Sequence, residues 1–182
     1  MNTRQFSIIF YSIIGICILI IIISYTSFDI LEVAVPFNWT MKYFSLPILL
    51  LSLPLSGFIY LTFLHSKERK KFNSKIRDNL RSVFRIITLT IGLTAILGGT
   101  TLSTIILTNA YLGDNKEINI QAKVVDYYTL RSNKAGVEHY IKIQGKQLNK
   151  IVDLRVEQPY QVGQTFNKTM KIGKWGLLYS TK

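Results

Sequence analysis

Three long uncharged stretches dominate the first 111 residues, and a period-two alternation replaces them afterwards. The first stretch runs from Gln5 to Phe28, with its most apolar core between Phe6 and Ile23. About 20 apolar residues carry a helix across the hydrocarbon layer of a bilayer. A cleavable signal sequence has an apolar region of only about 7–15 residues and ends at small side chains. Ser24-Tyr25-Thr26-Ser27 fits that poorly, so the pattern predicts an uncleaved span over 6–27. The second stretch, Tyr43 to Leu64, predicts a span over 43–65. It carries Gly57 and two prolines, Pro47 and Pro54, which fall on nearly one helical face and predict a packing kink. The third, Ile86 to Tyr111, predicts a span over 86–111. Within it Ala95, Gly99 and Ser103 lie four apart and form a stripe of small residues suited to close helix approach. Its many serines and threonines are expected to bond to their own helix backbone.

The link between the second and third stretches is of opposite character. Lys67, Arg69, Lys70, Lys71, Lys75, Arg77, Arg81 and Arg85 stand there against only Glu68 and Asp78. Phe72, Ile76, Leu80, Val83 and Phe84 fall on one helical stripe, so 67–85 reads as a basic amphipathic segment lying in the membrane interface. Its eight cations are candidate contacts to lipid headgroups. Loops rich in Lys and Arg stay cytoplasmic. The expected orientation is therefore N-terminus inside, first loop outside, basic segment inside and C-terminal part outside. Trp39, Tyr43, Tyr60 and Tyr111 sit near the predicted boundaries, where amphipathic rings prefer to lie.

After Tyr111 apolar and polar residues alternate. Ile118, Ile120, Ala122 and Val124 predict one half-buried strand, and Val137, His139, Ile141 and Ile143 a second, joined by a polar loop over 131–136. Val152, Leu154 and Val156 predict a third, Phe166, Met170 and Ile172 a fourth, and Trp175 to Tyr179 a short fifth. The fold class is thus a membrane α-helical part with three transmembrane helices, residues 1–112, plus a small all-β domain, residues 113–182. The latter is expected to have about five antiparallel strands, barrel- or sandwich-like, with Trp175, Tyr179, Phe166 and Tyr140 filling its core.

Composition adds to this picture mainly through charge. The chain has 182 residues, 48% of them hydrophobic, and a formal charge of +12. A basic balance fits nucleic acid, anionic lipid or an acidic partner. No helix-turn-helix, zinc-finger or RNA-recognition signature is present, so nucleic acid is not an expected partner. After Leu112 twelve basic residues stand against six acidic ones. Lys146, Lys150, Arg155, Lys168, Lys171 and Lys174 are the candidate contacts to an anionic surface. The single cysteine, Cys17, has no partner for an intrachain disulfide and reads as a packing residue.

Residues able to carry out chemistry are few and scattered. His65 and His139 are expected on opposite sides of the membrane and so cannot share a metal. His139 is expected to pack or hydrogen-bond in the sheet. No HExxH, phosphate-loop, Gly-x-Ser-x-Gly or paired-cysteine motif occurs. No charged residue interrupts the three uncharged stretches, which argues against an ion or proton path. No enzyme activity, metal or cofactor is expected.

The order of strands, Tyr160-x-Val162-Gly163 and Gly173-x-x-Gly176-Leu177-Leu178-Tyr179 resembles the terminal β-domains of small bacterial membrane proteins of unknown function. The resemblance covers about the last 65 residues. It implies a bacterial inner-membrane protein and transfers no activity or site. The expected function is an outward β-domain that binds or scaffolds an envelope component or protein partner. The alternative is an accessory subunit of a membrane transport or secretion complex, contacting its neighbours through the small-residue stripe.

Overall fold

The computed structural model describes residues 3–31, 33–64, 75–113, 116–132, 136–145, 148 and 151–181. The chain forms two compact units. One comprises Met1–Tyr25 with Pro36–Ile105, the other Thr26–Val35 with Ile106–Lys182.

The helices are α1 (Thr3–Ser27), α2 (Ala34–Trp39), α3 (Ser45–Ile59) and α4 (Lys75–Tyr111). Wide π-helical turns at Thr40–Phe44 and Tyr60–Leu64 join α2 to α3 and extend α3, so one helical rod covers the second apolar stretch. This rod starts earlier than the predicted 43–65. The apolar residues of 34–42, with a single charge at Lys42, continue the helix without a break. Pro47 has no N–H to offer the Tyr43 carbonyl, and that carbonyl lies in the first wide turn, where the helical register is already altered. Three helical stretches, Gln5–Ser27, Ala34–Phe63 and Ile76–Tyr111, are long and apolar enough to cross a membrane. The described part of the basic segment, from Lys75, is continuous with the third apolar stretch in a 37-residue helix.

Within the first unit, α3 and α4 meet along a seam of hydroxyls. Ser52 bonds Thr94 at 2.7 Å, Ser56 bonds Thr90 at 2.6 Å, and Tyr60 bonds Ser82 at 2.7 Å. Positions rise by four along one helix while they fall along the other, which makes the pair antiparallel. Ser52, Ser56 and Tyr60 are fully buried. Ser56 and Thr90 also face the carbonyls of Leu53 and Ile86. Each hydroxyl has one proton, so one member of each pair donates to the other while the acceptor keeps its bond to its own helix. Thr88, Thr100, Thr101 and Thr104 bond backward along α4 to the carbonyls four residues earlier, as the sequence suggests. Replacing Ser56 by Ala or Thr90 by Val should each cost about 0.6 kcal/mol, the usual worth of such a bond between apolar helices. The double variant should cost less than the sum of the two, measured by reversible unfolding in mixed micelles.

The second unit is one curled antiparallel sheet in the order β1-β6-β5-β2-β3-β4. The strands are β1 (Phe28–Ile30), β2 (Lys116–Ser132), β3 (Gly136–Gln144), β4 (Val152–Val156), β5 (Thr165–Ile172) and β6 (Leu178–Thr181). The long β2 organises it. Its first half pairs β5 from Lys116 to Lys123, and its second half pairs β3 from Lys123 to Ser132. A bulge between Val124 and Asp126 marks the changeover, and such bulges bend a strand and increase its twist. The alternation buries Ile120, Ala122 and Val124 of β2 against Ile141 and Ile143 of β3, Val152 of β4, and Phe166 and Met170 of β5.

Several expectations are corrected. Among the described residues six strands form one curled sheet whose end strands do not pair, rather than the expected five or so in a barrel- or sandwich-like domain. The sixth, β1, starts at the last residue of the first apolar stretch and pairs β6 through Phe28↔Thr181, Asp29↔Ser180 and Ile30↔Tyr179. Trp175 is 53% exposed and belongs to a turn, not to a strand or the core. The turn is closed by Gly173 N–H to Leu177 O and Gly176 N–H to Gly173 O, with Gly176 at φ 75°. Tyr140 lies on the outer face, because Ile141 next to it points inward and strand neighbours alternate. Tyr179 and Phe166 are buried as expected.

Candidate functional site

Among the described residues the sheet has two unpaired edges, those of β1 and β4, and both border the same cleft. Asp29, Ile30 and Leu31 at the end of β1 line one side. The whole of β4, Val152 to Val156, lines the other, with Tyr160 and Phe166 behind it. The cleft encloses about 810 Å³, within the range of about 300–1,000 Å³ typical of ligand sites. Leu31, Val152 and Phe166 belong to the core, and Leu154, Val156 and Tyr160 pack against it half-buried. The cleft is therefore the open margin of the core. Among the described residues no strand occupies the outer edge of β4, so that edge presents unpaired backbone N–H and C=O groups.

Charges at the rim are largely matched. Lys168 pairs with Asp29 at 2.7 Å and thereby ties β5 to β1. Arg155 pairs with Glu138 at 3.1 Å. Asp153 accepts the Tyr128 hydroxyl at 2.6 Å. On the outer face behind β4, Tyr128 stacks on Tyr140 with centroids 5.3 Å apart, and Lys142 bonds Asp126 at 2.9 Å. The hydrogen bond and charge of Lys142 hold the Asp126 carboxyl below its ordinary value. The Tyr128 hydroxyl is pushed up to about 12, first by its bond to Asp153 and then by desolvation. A raised tyrosine stabilises the folded state below the unfolded value, near 10, and the effect is lost as pH climbs through about 12. Asp153→Asn should bring the Tyr128 titration back toward 10, read from its ring carbon resonance by NMR.

A second feature lies where α4 ends. Asn109 is fully buried. Its amide donates to Leu177 O at 3.1 Å, its side-chain oxygen accepts Trp175 N–H at 3.0 Å, and its backbone carbonyl accepts Lys174 N–H at 2.9 Å. Tyr179 donates its hydroxyl to Ala110 O at 3.1 Å, and burial pushes that phenol up. The turn 173–177 is thus locked to the last turn of α4.

The anionic-surface candidates are dispersed. Arg155 and Lys168 are at the cleft, each engaged by a carboxylate. Lys171 lines a separate hollow of about 490 Å³ with Phe28, Tyr111 and Tyr179. Lys174 is exposed on the turn, and Lys146 and Lys150 lie outside the described residues. Of the headgroup candidates, Lys67, Arg69, Lys70 and Lys71 also lie outside them. Lys75, Arg77, Arg81 and Arg85 are on α4. In the small-residue stripe, a Cβ on Gly99 would stand 3.1 Å from Ile21, Ser103 is buried, and Ala95 is exposed. His139 accepts or donates at Nδ1 to the Tyr127 hydroxyl, 2.6 Å away, and His65 lies outside the described residues. Among the described residues no group of His, Cys, Asp and Glu is arranged to hold a metal. Asn109 escaped the sequence reading, although an amide at the end of an apolar helix signalled a buried polar partner. Comparison with known families, characterised proteins and solved structures finds no match to this chain.

Proposed function

We propose that this chain is an integral protein of a bacterial inner membrane whose outward β-unit captures an extended segment of a partner protein in the cleft between β1 and β4. The membrane reading draws support from the three apolar helical stretches and the eight cations between the second and third of them. It draws further support from the segment after α1 folding into the same unit as the segment after α4, since three crossings put those two ends on one side.

The observation that carries the binding reading is the free edge of β4 opening onto uncovered core. An added strand satisfies the idle backbone groups and places every second side chain against Leu154, Val156 and Tyr160. Rim charge selects the intervening residues. Both rim cations are paired with carboxylates of this chain, while Glu157 and Asp153 add negative charge. A segment with apolar residues at alternate positions and Lys or Arg between them is the complementary partner. Panning random 12-residue displayed peptides against the full chain in nanodiscs should enrich that pattern. N-methylating alternate amides of the best binder should abolish binding in one parity and spare it in the other. Failure to enrich any peptide, or indifference to N-methylation, refutes strand capture.

A further inference from the structure

The lock at the end of α4 carries an inference about the turn it holds. Trp175 is 53% exposed although its backbone N–H and indole N–H are both engaged, the first by Asn109 and the second by Thr108 Oγ1 at 3.1 Å. The indole N–H and the backbone N–H of Trp175 are both held, yet about half of the residue stays open to its surroundings, so the residue is fixed in place without being packed into a core. Its position is defined by Thr108, one turn before the end of the apolar helical stretch Ile76–Tyr111. Tyr111 and Leu112 beside that end are 69% and 63% exposed, and Lys174 is exposed as well. A tryptophan, a tyrosine, a leucine and a lysine therefore crowd one level of the chain, where the apolar helix gives way to the polar sheet.

We infer that the turn Lys174–Trp175–Gly176, with Tyr111, is a bilayer anchor that seats the β-unit in the lipid interface; this rests on the membrane reading above. The chemistry fits an interface rather than water or hydrocarbon. Indole and phenol rings prefer the headgroup level, and a lysine there reaches anionic headgroups while its stem lies along apolar material. The anchor adds a second point of attachment to the one made by the helix itself. Asn109 makes it rigid, so the depth of the turn is set by the helix.

The test uses intrinsic fluorescence of the full chain, which has two tryptophans, Trp39 and Trp175. In Trp39→Phe, reconstituted into phosphatidylcholine–phosphatidylglycerol vesicles, Trp175 is the sole emitter. Lipids brominated at acyl positions 6 and 7 should quench at least half of its emission, and lipids brominated at positions 11 and 12 should quench less. The companion variant Trp175→Phe reports on Trp39, which lies in the second apolar helical stretch. Quenching of Trp39 with none of Trp175 overturns the anchor and leaves the membrane reading standing. Absence of quenching in both variants overturns the two together. Stronger quenching of Trp175 by the deeper bromines also contradicts an interfacial seat.

Discussion

Gly173→Ala should release the C-terminal turn from α4. A Cβ at this position would overlap the Asn109 side-chain amide and its backbone carbonyl, and a neighbouring backbone cannot swing away as a flexible side-chain tip does. Gly113 faces the same spot, its own Cβ position being 2.7 Å from Gly173 Cα. Forcing a methyl into such a site costs about 1–3 kcal/mol in strain. The bonds from Asn109 to Leu177, Trp175 and Lys174 contribute about 1 kcal/mol each and are lost with it. Releasing the turn relieves that strain, so the three lost bonds set the effect: about 3 kcal/mol, a fall of roughly 100-fold in amide-exchange protection of β6 and β1. Gly176→Ala is the control. Gly176 sits at φ 75° in open space, so alanine there should cost only about 1 kcal/mol of backbone strain.

Exchanging Lys67, Arg69, Lys70 and Lys71 for glutamate should scramble the orientation of the whole chain. The basic segment carries the strongest inward signal, and the nearly neutral stretch holding Asp29, Glu32 and Lys42 offers nothing to oppose it. Loss of the four cations matters more than the acids gained, because acidic residues contribute little to orientation. A C-terminal phosphatase reporter, active only outside, should fall from nearly all molecules to fewer than half. Exchanging four cations of the C-terminal unit instead should leave the reporter active.

The parts of this fold that were legible in the sequence are those with a local period. The alternation of Ile120, Ala122 and Val124, or of Val152, Leu154 and Val156, marks both strand and inward face, because neighbouring strand residues point to opposite sides. The three apolar stretches were legible through length alone. What escaped depends on distant partners. β1 is three residues long, and it becomes a strand only because Tyr179–Thr181, at the far end of the chain, pairs with it. Trp175 read as core because large aromatic residues usually are, whereas two hydrogen bonds from its nitrogens hold it in an exposed turn. Ser52 and Ser56 carry no local signal, because their partners Thr94 and Thr90 stand 42 and 34 residues away along the chain. The cleft has no local signal at all, since it exists only where two strand edges fail to meet.

The central proposal is that the β-unit lies outside a membrane that the helices cross. Thiol labelling tests this directly: with Cys17 replaced by serine, Thr169→Cys provides the single thiol on an exposed position of β5. A membrane-impermeant maleimide added to intact spheroplasts should label it fully. Labelling that appears only after the cells are broken open contradicts the account.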